Sequence, residues 1–527
     1  MRRLAVSVVA LAALVLASTA SARVLLVGSF HGIKGQYSSI QAAVKAAKRG
    51  DWVLVGPGDY KTTSSHAPKG RPDRPSGVLI TTPDLHLRGM NRNTVVVDGT
   101  KPGSSECSNK KSAQNFGPNF GRGTLGLNGI MVYKADDVWI QNLTACNFLG
   151  GSGGDGGTGN EIWWNGGDGS GQIGGWGFVG SYLNATSSYF GPANNPNKAE
   201  VTAAEYGIFS SNWSGGTWNQ SYASNFNDSG YYIGACQQVC DQTINHGWGE
   251  YNALGYSGSN SGGQLVIENS QWDNNVDGIN TNSQNGDDPS PQDGACPGNG
   301  VSRITHTHSC WVAMNNYVHN NNDPNVPQAG SAAAGPVGTG IVLSGSRNDT
   351  LLDNKIVNND AWGVWFVFYP DTGPPCTGGT LSGTTCLFDD WGNALIDNKF
   401  GNNGDYGHPS NGDFQEIQAE SGHPTNCFSG NTEIGGGSIR PASSAALQQS
   451  QPSCNGQPSQ GGASDPNFLS EGLCDSQIVV SACPTGPYPQ PTKIVMHRLP
   501  PAKQLPTMPN PCSGVPGNAW CRAGKPV

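Results

Sequence analysis

ENSQWDNNVDGINTNSQNGDD, residues 268–288, offers only Trp272, Val276 and Ile279 to a core, among Asn, Asp, Gly and Ser. Taken singly it reads as a loop, and only recurrence of its Asn and Gly would make it structure. They recur. NLTACNF begins at 142, NSQWDNN at 269, NNYVHNN at 315, NKIVNND at 354 and NKFGNNG at 398, with weaker copies QSYASNF at 220 and INHGWGE at 244. Gly followed by an apolar or aromatic residue comes next: Gly230-Tyr231, Gly255-Tyr256, Gly278-Ile279, Gly340-Ile341, Gly363-Val364. Asn269 to Gly278, Asn354 to Gly363 and Asn398 to Gly407 each span nine residues, and Gly207–Gly230, Gly255–Gly278 and Gly340–Gly363 each span 23. A fixed period of this size predicts a solenoid, whose stacked repeats share one thin core.

The repeats are short alternating runs between Asn/Gly turns, with no helical period, so the class expected is all-β: a right-handed, single-stranded parallel β-helix. Val276, Ile279 and Trp272 then need only cover the rungs above and below, while turn Asn residues adopt left-handed backbone geometry and bond to the next rung. YSSIQAAVKAAKRGDWVLVGPGDY (37–60) supplies an amphipathic helix with Ile40, Ala43, Val44 and Ala47 on one face, then a strand and a Pro-Gly turn. Solenoids need such a cap over the open first rung. This segment, with LHLRGMNRNTVVVDG (85–99), resembles the start of right-handed parallel β-helix proteins of the pectate-lyase-like superfamily. The resemblance covers residues 30–435 and implies the fold rather than one activity, because that fold carries lyases, hydrolases, epimerases, tailspikes and adhesins.

The boundaries expected are 1–22 as a secretory signal peptide, 23–125 as cap and first rungs, 126–435 as repeats with loop insertions, and 436–527 as an irregular Pro/Cys-rich C-terminal tail. MRRLAVSVVALAALVLASTASA has two Arg, an apolar run and small residues before a cut after Ala22, which predicts a secreted, extracellular protein. Fourteen Cys fit export as disulfides, with Cys236–Cys240, Cys296–Cys310 and Cys376–Cys386 as local bridges. A net charge of −9 with 13% charged residues leaves no basic surface for nucleic acid.

Strand alternation assigns the faces. With Tyr231, Ile279, Ile341 and Val364 inward, the residue two beyond each Gly points out: Phe209, Tyr232, Ser257, Asn280, Val342, Trp365. So does the residue before each Gly: Tyr206, Ser229, Leu254, Asp277, Thr339, Trp362. Tyr206, Tyr232, Asn280, Trp362 and Trp365 would bind a polysaccharide, since sugars present flat C–H faces to rings. A one-residue slip would put the rings in the core instead. Acids follow at Asp287, Asp288 and Asp349 beside Arg347. Insertions at 285–310 and 370–390, with a third at 321–338, are expected to wall a cleft there.

Two chemistries suit acids in such a cleft. In β-elimination on an acidic polysaccharide, Asp277, Asp287, Asp288 and Asp349 would hold Ca²⁺ through oxygen, and Arg347 (or Lys355) would remove the proton. In glycoside hydrolysis two carboxyls flank the bond. Asn280-Thr281-Asn282 and Asp287-Asp288 resemble motifs of polygalacturonase-like hydrolases, but Asn282 stands where those carry Asp and no Gly-His-Gly follows, so elimination leads. The rival from another class is a non-catalytic surface or wall-associated β-helix that binds a partner.

Overall fold

The computed structural model describes residues 22–527 apart from 63, 122, 153–156, 168–171, 192–201, 237, 286–290, 452–453, 455–463 and 478–482. Its repeating unit is three short strands, such as Asp277–Asn282, Trp311–Met314 and Tyr317–His319. Each pairs in parallel one rung on: Asp277 lies opposite Thr339, Trp311 opposite Asp349, and Tyr317 opposite Lys355. The first side is a ten-stranded sheet from Ser76–Ile80 to Gly412–Ile417. The other two sides join into a 21-stranded sheet, because Val138–Cys146 and Phe178–Thr186 each run across both. This is a parallel β-helix.

Leu254 faces Asp277 and Tyr256 faces Ile279, so Gly255 and Gly278 are vertical neighbours, as the 23-residue period requires. Glycine is required there by close approach. A Cβ on Gly278 would lie 2.5 Å from the Gly340 carbonyl oxygen and 2.8 Å from Asn321 Nδ2, and one on Gly255 would meet Gly278 and Asn275 in the same way.

The Asn pairs divide two tasks. The first member takes the left-handed backbone: Asn274, Asn315, Asn320, Asn358 and Asn402 all have φ between 53° and 55°. The second is buried and bonds vertically: Asn275 Nδ2 donates to Asn321 Oδ1, Asn321 Nδ2 to Asn359 Oδ1, and Asn359 Nδ2 to Asn403 Oδ1, at 3.0–3.2 Å. A parallel ladder runs Asn316, Asn354, Asn398, Asn431, and ends on Gln448 of a capping helix. Buried amides satisfied in this way stabilise the turns, and the apolar core can stay thin. Inside it stack Tyr231, Tyr256, Ile279, Ile341, Val364 and Phe414.

At the first rung, helix α1 (Ile40–Ala46) begins on Ser39, whose side chain accepts from the Ala42 N–H, and buries Ile40, Ala43 and Val44. The Asn398–Gly407 spacing does not continue the column. Gly407 has φ 77° in a turn, and the next rung strand is Gly412–Ile417, where Phe414 faces Val364.

The tail is more than a cover for the last rungs. Helix α2 (Ala442–Ser450) caps the C-terminal end, burying Leu447. Helix α3 (Phe468–Asp475) lies on the outer face of the ten-stranded sheet, against Trp362 and Trp365. From there the chain returns along the solenoid to its start. Asn225 and His497 exchange two hydrogen bonds at 2.9 Å, Thr507 donates to Asn142, Arg88 donates to the Pro511 and Ser513 carbonyls, and Trp520 buries itself beside Leu26 and Phe30. Seven disulfides form, including the three expected; Cys107–Cys146, Cys427–Cys454, Cys474–Cys483 and Cys512–Cys521 complete the set. They suit an oxidising compartment. Among the described residues no helix is long and apolar enough to cross a membrane.

Candidate functional site

The outward columns of the ten-stranded sheet form the floor of a cleft of about 390 Å³. Tyr232, Ser257, Asn280, Val342 and Trp365 line it, as do Ser259, Asn282, Ser344 and Val367 two residues further along the same strands. The register therefore points these side chains out, as alternation predicts. The walls come from the turn at 331–336, from Leu469, Gly472, Leu473 and Ser476 of the tail, and from Phe368, Tyr369 and Pro370. Two of the three expected insertions thus contribute. The described part of 285–310 instead pairs with the rung: Asp293 bridges Arg347, and Gln292 is buried.

The aromatic stripe exists, but not as an open platform. Trp163, Phe209 and Tyr232 stack at 4.9–5.0 Å, with Tyr206 against Tyr232 at 4.8 Å, and the three stacked rings keep under a tenth of their surface exposed. Trp362 is fully buried beneath α3 and Tyr488, its Nε1 donating to the Ser410 carbonyl at 2.9 Å. Placing it on a sugar-binding face is therefore corrected: the tail covers it. Tyr206, Tyr232, Asn280 and Trp365 share the cleft.

The acids divide by position. Asp228 lines the cleft beneath the Tyr206 hydroxyl, 3.5 Å away. Burial pushes its carboxyl up to about 7, and burial with the charge of Asp228 pushes Glu205 up to about 8. Asp277 sits behind the floor, accepting from Asn280 Nδ2 at 3.1 Å, and burial pushes it up to about 8. Asp349, by contrast, is fully buried inside the solenoid, on the strand opposite Trp311, with Gln292 Nε2 3.4 Å away; burial raises its carboxyl well above the usual range. Arg347 does not pair with it. Its Nη2 donates to the Gly378 carbonyl, and its guanidinium lies 5.1 Å from the Trp391 ring centre. Arg347 and Asp349 are thus not among the residues lining the cleft, because one is spent on the corner and the other on the interior. Lys355 is on a different side, over Tyr317. Asp287 and Asp288 lie outside the described residues.

Alternation found the floor of the cleft but missed Asp228, Glu205 and the α3 wall. Asp228 stands two residues before Gly230, a position to which the outward columns assign no face. No signal in the tail sequence says where α3 docks. Among the described residues the one close group of three or more His, Cys, Asp or Glu side chains is Asp98, Cys107 and Cys146, and those two sulfurs are joined in a disulfide. The described cleft thus offers no carboxylate set of the kind Ca²⁺ takes.

No family model and no curated protein matches the chain. Solved structures to which the chain is similar include the A-module of a mannuronan C-5 epimerase from Azotobacter vinelandii (12% identity, 75% of this chain and 96% of that one, TM-score 0.46). A pectate lyase matches at 14% identity over 78% of this chain and 74% of that one, TM-score 0.37. An alginate lyase from Paenibacillus sp. matches at 11% over 79% and 96%, TM-score 0.36. By its own strand register the chain is a parallel β-helix.

Proposed function

We propose that the protein is an exported β-helix that binds a polysaccharide chain in the cleft over the ten-stranded sheet. The observation that carries this is the lining itself: edges of Tyr206, Tyr232 and Trp365 beside the amides and hydroxyls of Asn280, Asn282, Gln284, Ser257, Ser259 and Ser344. Rings pack on sugar C–H faces, and fixed amides select hydroxyl positions. The lining contains Asp228 and no Lys, Arg or His among its described residues. An anionic polymer would meet like charge there with nothing to neutralise it, which favours a neutral or weakly charged glycan over a uronate. β-Elimination by Arg347 draws no support from this geometry, because Arg347 does not line the cleft.

Glycoside hydrolysis has one observation in its favour. Asp228 faces the cleft with its carboxyl near 7, where an acid can both give and take a proton. The test is a panel of neutral and uronate polysaccharides, scored by melting temperature, by reducing ends and by the ultraviolet absorbance of unsaturated ends. A rise in Tm with a neutral glycan that Tyr232→Ala with Trp365→Ala removes supports the binding reading. Reducing ends lost in Asp228→Asn would add hydrolysis. Unsaturated ends from a uronate would replace both readings with elimination.

A further inference from the structure

We propose that Asp390, Glu416 and Gln451 form a site for a divalent cation of the hard, oxygen-seeking class, represented by Ca²⁺, at the C-terminal end of the solenoid core. Glu416 belongs to the last strand of the ten-stranded sheet and faces inward, as its neighbour Phe366 does. Asp390 reaches the same point from the last position of the 370–390 insertion. Asn426 Nδ2 donates to Asp390 Oδ2 at 2.9 Å and to Glu416 Oε2 at 3.1 Å, so one amide holds both carboxylates. The Asn426 amide cannot turn over, because its Oδ1 accepts from the Asn393 backbone and side-chain N–H groups. Gln451, just past α2, donates from Nε2 to Glu416 Oε1 at 2.7 Å.

What this cluster lacks is positive charge. Asp390 is fully buried, and Glu416 and Gln451 are 6% and 2% exposed. Asp390 Oδ1 and Gln451 Oε1 are buried without any hydrogen-bond partner. Neither acid has an ion pair with Lys, Arg or His among the described residues. A proton on Asp390 Oδ1 would neutralise that acid and make the oxygen a donor, but it would leave the Glu416 carboxylate buried without a counter-charge among the described residues. A divalent cation answers both acids. A cavity of about 360 Å³ lined by Glu416, Gln451, Gln418, Ser464 and Asp465, but not by Asp390, adjoins the cluster on the Glu416 side and gives room for waters there. Ca²⁺ takes six to eight oxygens, waters included. Because Gln451 ends the capping helix, the ion would fasten that cap to the last rung.

The experiment uses the full chain, stripped with EDTA and titrated with CaCl₂ in the absence of glycan, so that its outcome is independent of the cleft. Tm is expected to rise saturably with Ca²⁺, and Tb³⁺ to give luminescence sensitised by the adjacent Trp391 that Ca²⁺ quenches by competition. Asp390→Asn and Glu416→Gln should each abolish the saturable shift. Absence of both the Tm rise and the sensitised Tb³⁺ signal in the unmodified protein would overturn the proposal. So would an undiminished response in the two variants. Because the Tb³⁺ competition needs only the unmodified chain, misfolding of a variant does not spoil the test.

Discussion

Asn321 accepts, at one oxygen, both the backbone N–H and the side-chain Nδ2–H of Asn275, at 3.3 and 3.0 Å, although 46 residues separate the two. The same geometry links Asn321 onward to Asn359. Replacing Asn321 by Ala strands the Asn275 backbone N–H inside the wall and removes the Asn321 Nδ2 bond to the Trp272 carbonyl. Each orphaned buried group costs about 1–3 kcal/mol. Asn321→Ala should lower the urea midpoint clearly, while Asn322→Ala, on the partly exposed neighbour, should lower it less. Equal effects from the two would show that the ladder is not what stabilises the turn.

Gly278→Ala should be clearly damaging. Its Cβ would press on the Gly340 carbonyl and on Asn321 Nδ2, both fixed by the wall and the ladder. Overpacking of a fixed site costs about 1–3 kcal/mol. Gly298→Ala meets nothing within 4 Å, though its φ of 63° adds some strain, and it should cost less. Circular dichroism melts of the two variants would rank them.

The buried acids make stability fall as pH rises. Asp277 is raised to about 8 and Asp228 to about 7 in the fold, against roughly 4 when unfolded. Between those values the native state binds more protons than the unfolded one, so their stabilising contribution is present below about pH 4 and is lost as pH climbs through 7 and 8. Asp277→Asn, which keeps the acceptor for Asn280, should therefore raise Tm more at pH 8 than at pH 5. A larger gain at pH 5 would contradict the assignment.

The returning tail should be structural rather than ornamental. Trp520 is fully buried against the first rungs, with Nε1 donating to the Ile33 carbonyl at 2.9 Å. Trp520→Ala is expected to cost about 3–5 kcal/mol and to expose Leu26 and Phe30. Dye binding and proteolysis near the N-terminal rungs would detect the opening.

The sequence by itself determined the rung. Strand alternation and a 23-residue step follow from local backbone geometry, so Gly255 over Gly278, inward Ile279 and outward Asn280 were all legible, as was the local pairing of Cys236 with Cys240. Tertiary structure alone decided what lies over that outward face. Trp362 and Trp365 both point out and both pack under α3, yet only Trp365 also lines the cleft. Arg347 and Asp349, two apart in sequence, go to a corner and to the interior. Such choices depend on contacts across hundreds of residues between segments with no shared period, and periodicity carries no information about them.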